Sequence, residues 1–292
     1  MIAYIDHNVW DYFLEFDPNA LIIPNCNVIV STENMHEVIR SGNTAYFELF
    51  RRHKASYVEV ALRDMRYIED RLIVAENPDW NGLMSFLVGE NEKYGHMGKG
   101  FLEYSQKMHG GLPETTVNEL LSKEINKAKE LMENQGFTGF IEDIDVSVIP
   151  DDPPGAKEFR ESINIDPCVI SNYPPHQAID LIWESVSKLI GEGCSLDSFF
   201  GIEPADFQGY DVWPMYLKTV GMHTILNLLG YRSDKQLHKF RKTRASLSDA
   251  SHIGFAIHSD YLITMDKAMG YKAEAIYSKL GINTTVIMPN LY

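Results

Sequence analysis

The sequence predicts an α/β protein in which a three-layer, parallel-sheet domain is interrupted by a large, mainly α-helical insertion. Short apolar strand patterns alternate with helix patterns at both ends of the chain, over residues 1–43 and 232–292, as in sheets whose strands are buried on both faces. Between them, residues 44–231 show long helix patterns and little strand alternation. The prediction is therefore a discontinuous sheet domain, with residues 44–231 as its insertion.

Length and composition are those of an ordinary globular protein. The 292 residues are 45% hydrophobic and 23% charged, which is enough to bury a full core. No apolar run approaches the length of a membrane span, and no cleavable signal begins the chain, so no membrane partner is expected. Cys26, Cys168 and Cys194 are odd in number and lack metal-ligand spacing, which favours a reduced, cytoplasmic protein.

The net charge of −15 argues against a protein that coats nucleic acid through a general positive field. The charge is uneven, however, because residues 232–292 contain nine bases and five acids. Five of these bases form a predicted basic helix, namely Lys235, Lys239, Arg241, Lys242 and Arg244. Such a run is either a solvated helix face or a track for a phosphate backbone, and the sequence leaves both interpretations open.

The start of the chain predicts two short buried strands, each followed by a helix. The first strand, at 2–5, leads to Asp6 and to a helix over 9–16. The second strand, at 27–30, leads to a helix that carries Glu37 just over one turn from its start. Because ligands of open parallel sheets bind outside the carboxyl ends of the strands, both acids are candidate site residues.

The middle of the chain is predominantly helical in its pattern. Helices are predicted at 47–75, 82–88, 101–108, 113–135, 175–190 and 212–229. An extended segment is predicted at 141–149, and it leads to the clearest break in the chain, at 151–155.

The end of the chain alternates helix and strand again. A helix capped by Ser246 or Ser248 is predicted to carry Asp249 on its first turn, and a strand follows at 261–264. Asp266 comes directly after that strand. The pattern then predicts a helix at 267–280 and a strand at 284–288.

Four carboxylates are predicted to meet at one edge of this sheet: Asp6, Glu37, Asp249 and Asp266. Converging carboxylates repel one another unless a cation lies between them, and hard divalent cations with oxygen ligands fit best. A Mg²⁺ or Mn²⁺ site follows, and its expected chemistry is in-line hydrolysis of a phosphodiester. Taken singly, each acid is also explained as a helix cap or a first-turn residue, and Glu33 competes with Glu37 on the same helix.

The same residues carry a family resemblance. The fragments are Tyr-Ile-Asp6-His-Asn8, Val-Ile-Val-Ser31 with Glu37 six residues on, Asp249-Ala-x-x-Ile-x-x-Ala256, and Leu-Ile-Thr264-Met-Asp266. In this order they resemble the motifs of PIN-domain ribonucleases, over about 104 residues at the two ends of the chain. The resemblance implies a parallel sheet flanked by helices, with three or four acids that hold Mg²⁺ or Mn²⁺.

The resemblance also implies individual roles. Four acids would be catalytic metal ligands, namely Asp6, Glu37, Asp249 and Asp266. Asn8 and Thr264 would orient these carboxylates through hydrogen bonds. Two other side chains near Asp249 are expected to be structural, because His252 more often packs than faces a cleft and Asp260 precedes a strand at a corner.

The expected function is therefore that of a metal-dependent endoribonuclease in the cytoplasm, with RNA as its substrate. Toxin and defence-effector roles are common in the family, so such a role is an expectation here. A protein partner or inhibitor on the insertion, and a homo-oligomer, are further expectations. Two alternatives stay open. One is a catalytically silent scaffold of the same fold whose acidic helical insertion binds a partner protein, and the other is a structure-specific DNase.

Overall fold

The computed structural model of the protein is a mixed α/β fold built around a six-stranded sheet. It describes residues 1–16, 25–63, 66–94, 99–134, 154–191, 193–203 and 213–289. The extended segment predicted at 141–149 lies outside these residues, and so does most of the predicted break at 151–155.

The sheet is parallel except at one edge. Its strands are β1 (Ile2–Ile5), β2 (Asn27–Ser31), β3 (Ser56–Arg63), β4 (Arg66–Ala75), β5 (Tyr261–Ile263) and β6 (Thr285–Ile287). Their spatial order is β4-β3-β2-β1-β5-β6, and among these described strands β4 alone is antiparallel to its neighbour. The predicted α/β class with a mostly parallel sheet is confirmed, whereas the three-layer arrangement stays a prediction.

Helices connect the strands and occupy the middle of the chain. The described helices are α1 (His7–Glu15), α2 (Thr32–Ser41), α3 (Tyr46–Arg52), α4 (Trp80–Tyr94), α5 (Lys99–Met108), α6 (Val117–Asn134), α7 (Ala156–Ser162), α8 (Pro167–Ile170), α9 (Pro175–Val186), α10 (Leu196–Phe199), α11 (Met215–Leu229), α12 (Phe240–Ala256) and α13 (Lys267–Leu280). Local signals set several boundaries. Ser31 caps α2, and Gly42 and Gly281 end α2 and α13 with φ values of 67° each.

The helix predicted over 47–75 is wrong beyond its first turns. α3 ends at Arg52, and Lys54 adopts a positive φ of 49°, which a continuing α-helix does not allow. β3 and β4 follow as an antiparallel pair. Tyr57 and Val58 are buried in β3, and aromatic and β-branched residues favour a pleated, half-buried strand.

The chain divides into two compact units whose boundaries differ from the predicted ones. One unit contains Met1–Ser85, Ile165–Ser233 and Leu247–Tyr292, and the other contains Phe86–Asn164 and Asp234–Ser246. The whole sheet belongs to the first unit, including β3 and β4, which the sequence had assigned to the insertion. The second unit contains α5, α6 and α7.

The chain changes direction across the sheet at β1. β2 and β3 extend the sheet on one side of β1, and β5 and β6 extend it on the other. In open α/β sheets, ligands bind outside the carboxyl ends of the strands at such a switch point. Asp6 follows β1, and Asp266 follows β5 by three residues, so both lie at this edge.

Aromatic packing fixes the helix that begins at this edge. Trp10 of α1 is fully buried, and its ring lies edge-on to Phe13, Phe50 and His53. Phe50 lies in α3 and His53 directly follows it, so α1 is held against α3 by close packing. The start of α1, which follows Asp6, is therefore positioned by the core.

Two expectations from composition concern membranes and disulfides. Within the described part of the chain, no helix is long and apolar enough to cross a membrane. Cys26, Cys168 and Cys194 are all free thiols.

Candidate metal centre

Three side chains from separate elements meet at the switch-point edge. They are Asp6 after β1, Glu37 in α2 and His252 in α12. Each offers one ligand atom, and these atoms all lie within 4.8 Å of one another. Across the described ranges, no other group of three or more histidine, cysteine or acidic side chains is as close.

Asp6 is buried, and protein donors hold both of its carboxylate oxygens. Oδ1 accepts a hydrogen bond from the backbone N–H of His7 at 2.7 Å, which makes Asp6 the N-cap of α1. Oδ2 accepts a hydrogen bond from Oγ1 of Thr264 at 2.7 Å. Burial raises the pKa of the Asp6 carboxyl, and the positive charge of His252 offsets only part of that rise.

Thr264 and Asn8 connect the Asp6 loop to the end of β5. Oγ1 of Thr264 also accepts a hydrogen bond from the backbone N–H of Asp266 at 3.0 Å. Oδ1 of Asn8 accepts one from the N–H of Met265 at 3.1 Å, and Nδ2 of Asn8 donates to Thr264 at 3.5 Å. These bonds fix the orientation of the Asp6 carboxylate.

Replacing Thr264 with Val should destabilise the protein, because the change keeps the side-chain volume but leaves a buried Asp6 oxygen without its donor. A hydrogen bond to a charged group contributes about 1.5–3 kcal/mol, so we expect a loss near ~2 kcal/mol in the free energy of unfolding, measured with urea at pH 7. Thr284→Val is the matched control, since buried Thr284 donates to the uncharged backbone carbonyls of Ala256 and Ser259. Equal losses of unfolding free energy in the two variants would contradict the role of Thr264 as a donor to the Asp6 carboxylate.

His252 lies between the two carboxylates and a buried tyrosine. Nε2 is 3.1 Å from Oε2 of Glu37 and 3.6 Å from Oδ1 of Asp6, and Nδ1 is 2.6 Å from the hydroxyl of Tyr4. Burial alone would lower the pKa of His252, but the carboxylates of Glu37 and Asp6 raise it to about 10. At neutral pH the ring is therefore a cation paired with Glu37, and this cation lowers the pKa of Glu37 although burial opposes it.

The second carboxylate on α2, Glu33, has different partners. Its Oε1 accepts hydrogen bonds from Arg40 at 3.1 Å and from Oγ of Ser248 at 2.6 Å. Burial would raise the pKa of Glu33, but neighbouring cations and hydrogen bonds lower it to about 2. Arg40 also lies 3.2 Å from Oε1 of Glu37. Glu33 is thus held by Arg40 and Ser248, whereas Glu37 faces Asp6 and His252.

His7 is a second histidine beside Glu37. Its Nδ1 is 3.5 Å from Oε2 of Glu37, and its Nε2 is 3.7 Å from Oδ1 of Asp11. The ring packs on Tyr46, with ring centroids 4.7 Å apart, and the Tyr46 hydroxyl donates to Asp11. Because burial lowers the pKa of His7, this ring is neutral at physiological pH.

The other two predicted ligands lie outside the group of three. The carboxylate of Asp266 accepts a hydrogen bond from the N–H of Met269 at 2.9 Å and caps α13. Asp249 is half-buried in α12, one turn before His252. The structure thus brings together Asp6 and Glu37, and their partner is His252.

The predicted start of the Asp249 helix at Ser246 or Ser248 is wrong. α12 begins at Phe240, so Asp249 lies in the helix interior and not on its first turn. The preceding residues include arginine, lysine, alanine and leucine, which are strong helix formers, and an interior serine costs little. The helix-dipole explanation of Asp249 therefore does not apply.

The five basic residues are all exposed, and the predicted basic helix is only partly helical. Lys235 and Lys239 lie in turns before α12, and Arg241, Lys242 and Arg244 lie in its first turns. Their role as contacts for a nucleic-acid backbone stays a prediction.

His252 was not predicted as a site residue, because a lone histidine on a helix usually packs. Ser248 and His252 are four residues apart and therefore share one face of α12, but the sequence does not show what that face contacts. Both side chains contact Glu37, with Ser248 Oγ at 3.2 Å from Oε1. Asp260 is structural as expected, and its carboxylate accepts a hydrogen bond from the backbone N–H of Ile2 at 2.6 Å.

The donor set fits a divalent cation. Two carboxylates suit Mg²⁺ and Mn²⁺, and an imidazole nitrogen suits first-row transition metals, so Mn²⁺ accepts all three ligands. The second nitrogen of His252 is hydrogen-bonded, as is usual for metal-binding histidines. The residues present are therefore compatible with the metal that the sequence predicted.

The chain matches no protein-family model, no curated protein and no solved structure.

Proposed function

We propose that the protein is a metal-dependent endoribonuclease of the PIN type that hydrolyses RNA phosphodiester bonds. The observation that carries this proposal is the convergence of Asp6 and Glu37, with His252, at the switch-point edge of a mostly parallel sheet. Bringing like charges together in a buried site costs free energy, so such clusters occur preferentially where function requires them.

In this proposal, Asp6 and Glu37 hold Mg²⁺ or Mn²⁺. When bound, the cation would polarise the scissile phosphoryl group and lower the pKa of a coordinated water. Thr264 keeps the Asp6 carboxylate oriented. Asp249 and Asp266 stay predicted ligands, supported by their proximity along the chain to His252 and Thr264.

The proposed RNA substrate is supported by the resemblance to PIN-domain ribonucleases and by the distribution of charge along the chain. The exposed bases between Lys235 and Arg244 are the proposed contacts for the RNA backbone, because phosphate binding needs accessible positive charge and the protein is acidic elsewhere. The toxin or effector role, a cognate inhibitor and a homo-oligomer belong to the same proposal.

One observation favours a second candidate, a catalytically silent scaffold. His252 and Arg40 both lie close to Glu37, at 3.1 Å and 3.2 Å. The protein therefore compensates the carboxylates with its own cations. In that case the acidic middle of the chain would bind a partner protein, and no metal would bind at the centre.

Removal and return of the metal distinguish these candidates. After dialysis against EDTA, the protein should not cleave labelled single-stranded RNA, and added Mn²⁺ or Mg²⁺ should restore cleavage, because the metal supplies the activated water. Single-stranded and duplex DNA serve as parallel substrates. Cleavage of DNA alone would favour the DNase, and no cleavage of any substrate with either metal would favour the scaffold.

A further inference from the structure

A chain of buried hydrogen bonds leads from the start of α2 to the imidazole of His252. The hydroxyl of Tyr4, in β1, is 2.7 Å from Oγ of Ser31 and 2.6 Å from Nδ1 of His252. All three side chains are at most 1% exposed. Three elements of the candidate centre therefore share one buried polar connection.

Asn34 favours one direction for the protons in this chain. Its Nδ2 donates to the backbone carbonyl of Ile5 at 3.2 Å, so its Oδ1 is the acceptor on the other side. Oγ of Ser31 donates to this Oδ1 at 3.2 Å, which leaves the Ser31 oxygen to accept from the Tyr4 hydroxyl. Because the charged ring of His252 carries a proton on both nitrogens, the Tyr4 oxygen accepts from Nδ1–H of His252 in this arrangement.

This direction assigns different roles to the two nitrogens of His252. Nδ1 keeps its proton for Tyr4, so Nε2 is the nitrogen that can lose its proton and offer a lone pair to a metal ion. Nε2 is also the atom that lies 3.1 Å from Glu37 and 3.6 Å from Asp6. The ring thus presents its ligand atom to the two carboxylates.

We propose that Tyr4 is a positioning residue that presents Nε2 of His252 as the nitrogen ligand of a divalent cation also held by Asp6 and Glu37. The inference rests on the proposed function, since it concerns the same cation. A ligand set with one imidazole nitrogen favours Mn²⁺ over Mg²⁺, because Mg²⁺ prefers oxygen ligands and sheds water reluctantly. The centre is therefore expected to select Mn²⁺.

Tyr4→Phe tests the positioning role, because it keeps the ring and removes only the hydroxyl. Loss of such a hydrogen bond typically lowers metal affinity by about 10–100-fold, so Mn²⁺ affinity, measured by calorimetry, should fall by this factor. Mg²⁺ affinity should fall less. Tyr277→Phe is the matched control, since buried Tyr277 donates to the backbone carbonyl of Ile253 at 2.7 Å. It should lose stability but keep its Mn²⁺ affinity.

A separate experiment tests whether the nitrogen of His252 is the metal ligand. Pulsed electron paramagnetic resonance of the Mn²⁺-loaded protein should show a coupled ¹⁴N nucleus, and His252→Gln should abolish that coupling. If Tyr4→Phe does not fold, histidine ¹⁵N spectra of the wild-type protein loaded with Zn²⁺ test the same point. They should show Nδ1 protonated and Nε2 bound to the metal.

The outcomes separate this inference from the proposed function. Bound Mn²⁺ without nitrogen coupling would overturn the ligand role of His252 while leaving a metal-dependent nuclease intact. Unchanged Mn²⁺ affinity in Tyr4→Phe, or equal losses in Tyr4→Phe and Tyr277→Phe, would overturn the role of Tyr4. Failure of the wild-type protein to bind Mn²⁺ would overturn the proposed function itself.

Discussion

Asp6→Asn is expected to reduce Mn²⁺-dependent RNA cleavage by at least about 100-fold, because residues that merely support a metal ligand already contribute ~10–100-fold. Initial rates on a labelled single-stranded RNA would measure the loss. Asp180→Asn is the matched control, since Asp180 is more than half exposed and its carboxylate pairs with Lys279. That variant should cleave at the wild-type rate.

The fold of the Asp6 variant should be intact. Asparagine caps helices about as well as aspartate does, and its side-chain oxygen can still accept hydrogen bonds from His7 or Thr264. The substitution also relieves repulsion between two buried carboxylates. This relief offsets the hydrogen bond that the amide nitrogen cannot accept, so the free energy of unfolding should stay within about 2 kcal/mol of the wild-type value. An active Asp6→Asn enzyme would contradict the catalytic assignment.

The second large effect is the pH dependence of stability that His252 contributes. The pKa of His252 is about 10 in the folded protein and 6.5 in its ordinary state. A raised pKa stabilises the folded state fully below pH 6.5, and that contribution is lost as the pH rises from 6.5 to 10. At about 1.4 kcal/mol per pKa unit, the contribution is on the order of 5 kcal/mol.

His252→Gln should therefore destabilise the protein most at pH 6 and much less at pH 10, as measured by urea unfolding in the absence of metal. His53→Gln is a useful control, because burial lowers the pKa of His53 and its titration lies below this window. The stability difference for His53→Gln should not change between pH 8 and 10. A His252→Gln difference that stays constant from pH 6 to 10 would contradict the ion pair with Glu37.

Local signals account for the parts of the fold that the sequence predicted well. Ile2–Ile5, the Ser31 cap and the Gly281 terminus each depend on a few neighbouring residues, and the corresponding elements match the structure closely. The β3–β4 pair was not predictable in the same way. Its strands are stabilised by pairing with β2 and with each other, and such pairing is not visible in the spacing of apolar residues.

The candidate site was also only partly predictable from the sequence. Asp6 and Glu37 could be found because the carboxyl edge of a parallel sheet is a general place for ligands. His252 could not, because its position depends on how α12 is rotated against its neighbours. At Gly254 a Cβ atom would lie 2.7 Å from the Tyr216 ring and 3.1 Å from Oγ1 of Thr219. This close approach helps to fix the rotation, and it is a tertiary property.

Metal binding at this centre requires a proton to leave His252. Without a bound metal ion, the proton on Nε2 of His252 offsets part of the negative charge of Glu37 and Asp6. A divalent ion at the same atoms must displace that proton, so metal affinity should rise with pH. This competition connects the stability of the protein to the proposed function.

A calorimetric titration with Mn²⁺ tests most directly whether Asp6, Glu37 and His252 form a metal centre. We predict that the EDTA-treated wild-type protein binds one Mn²⁺ ion per chain at this centre and that Asp6→Asn abolishes or greatly weakens that binding. Equal binding by the wild-type protein and Asp6→Asn, or no binding by the wild-type protein, would contradict the claim.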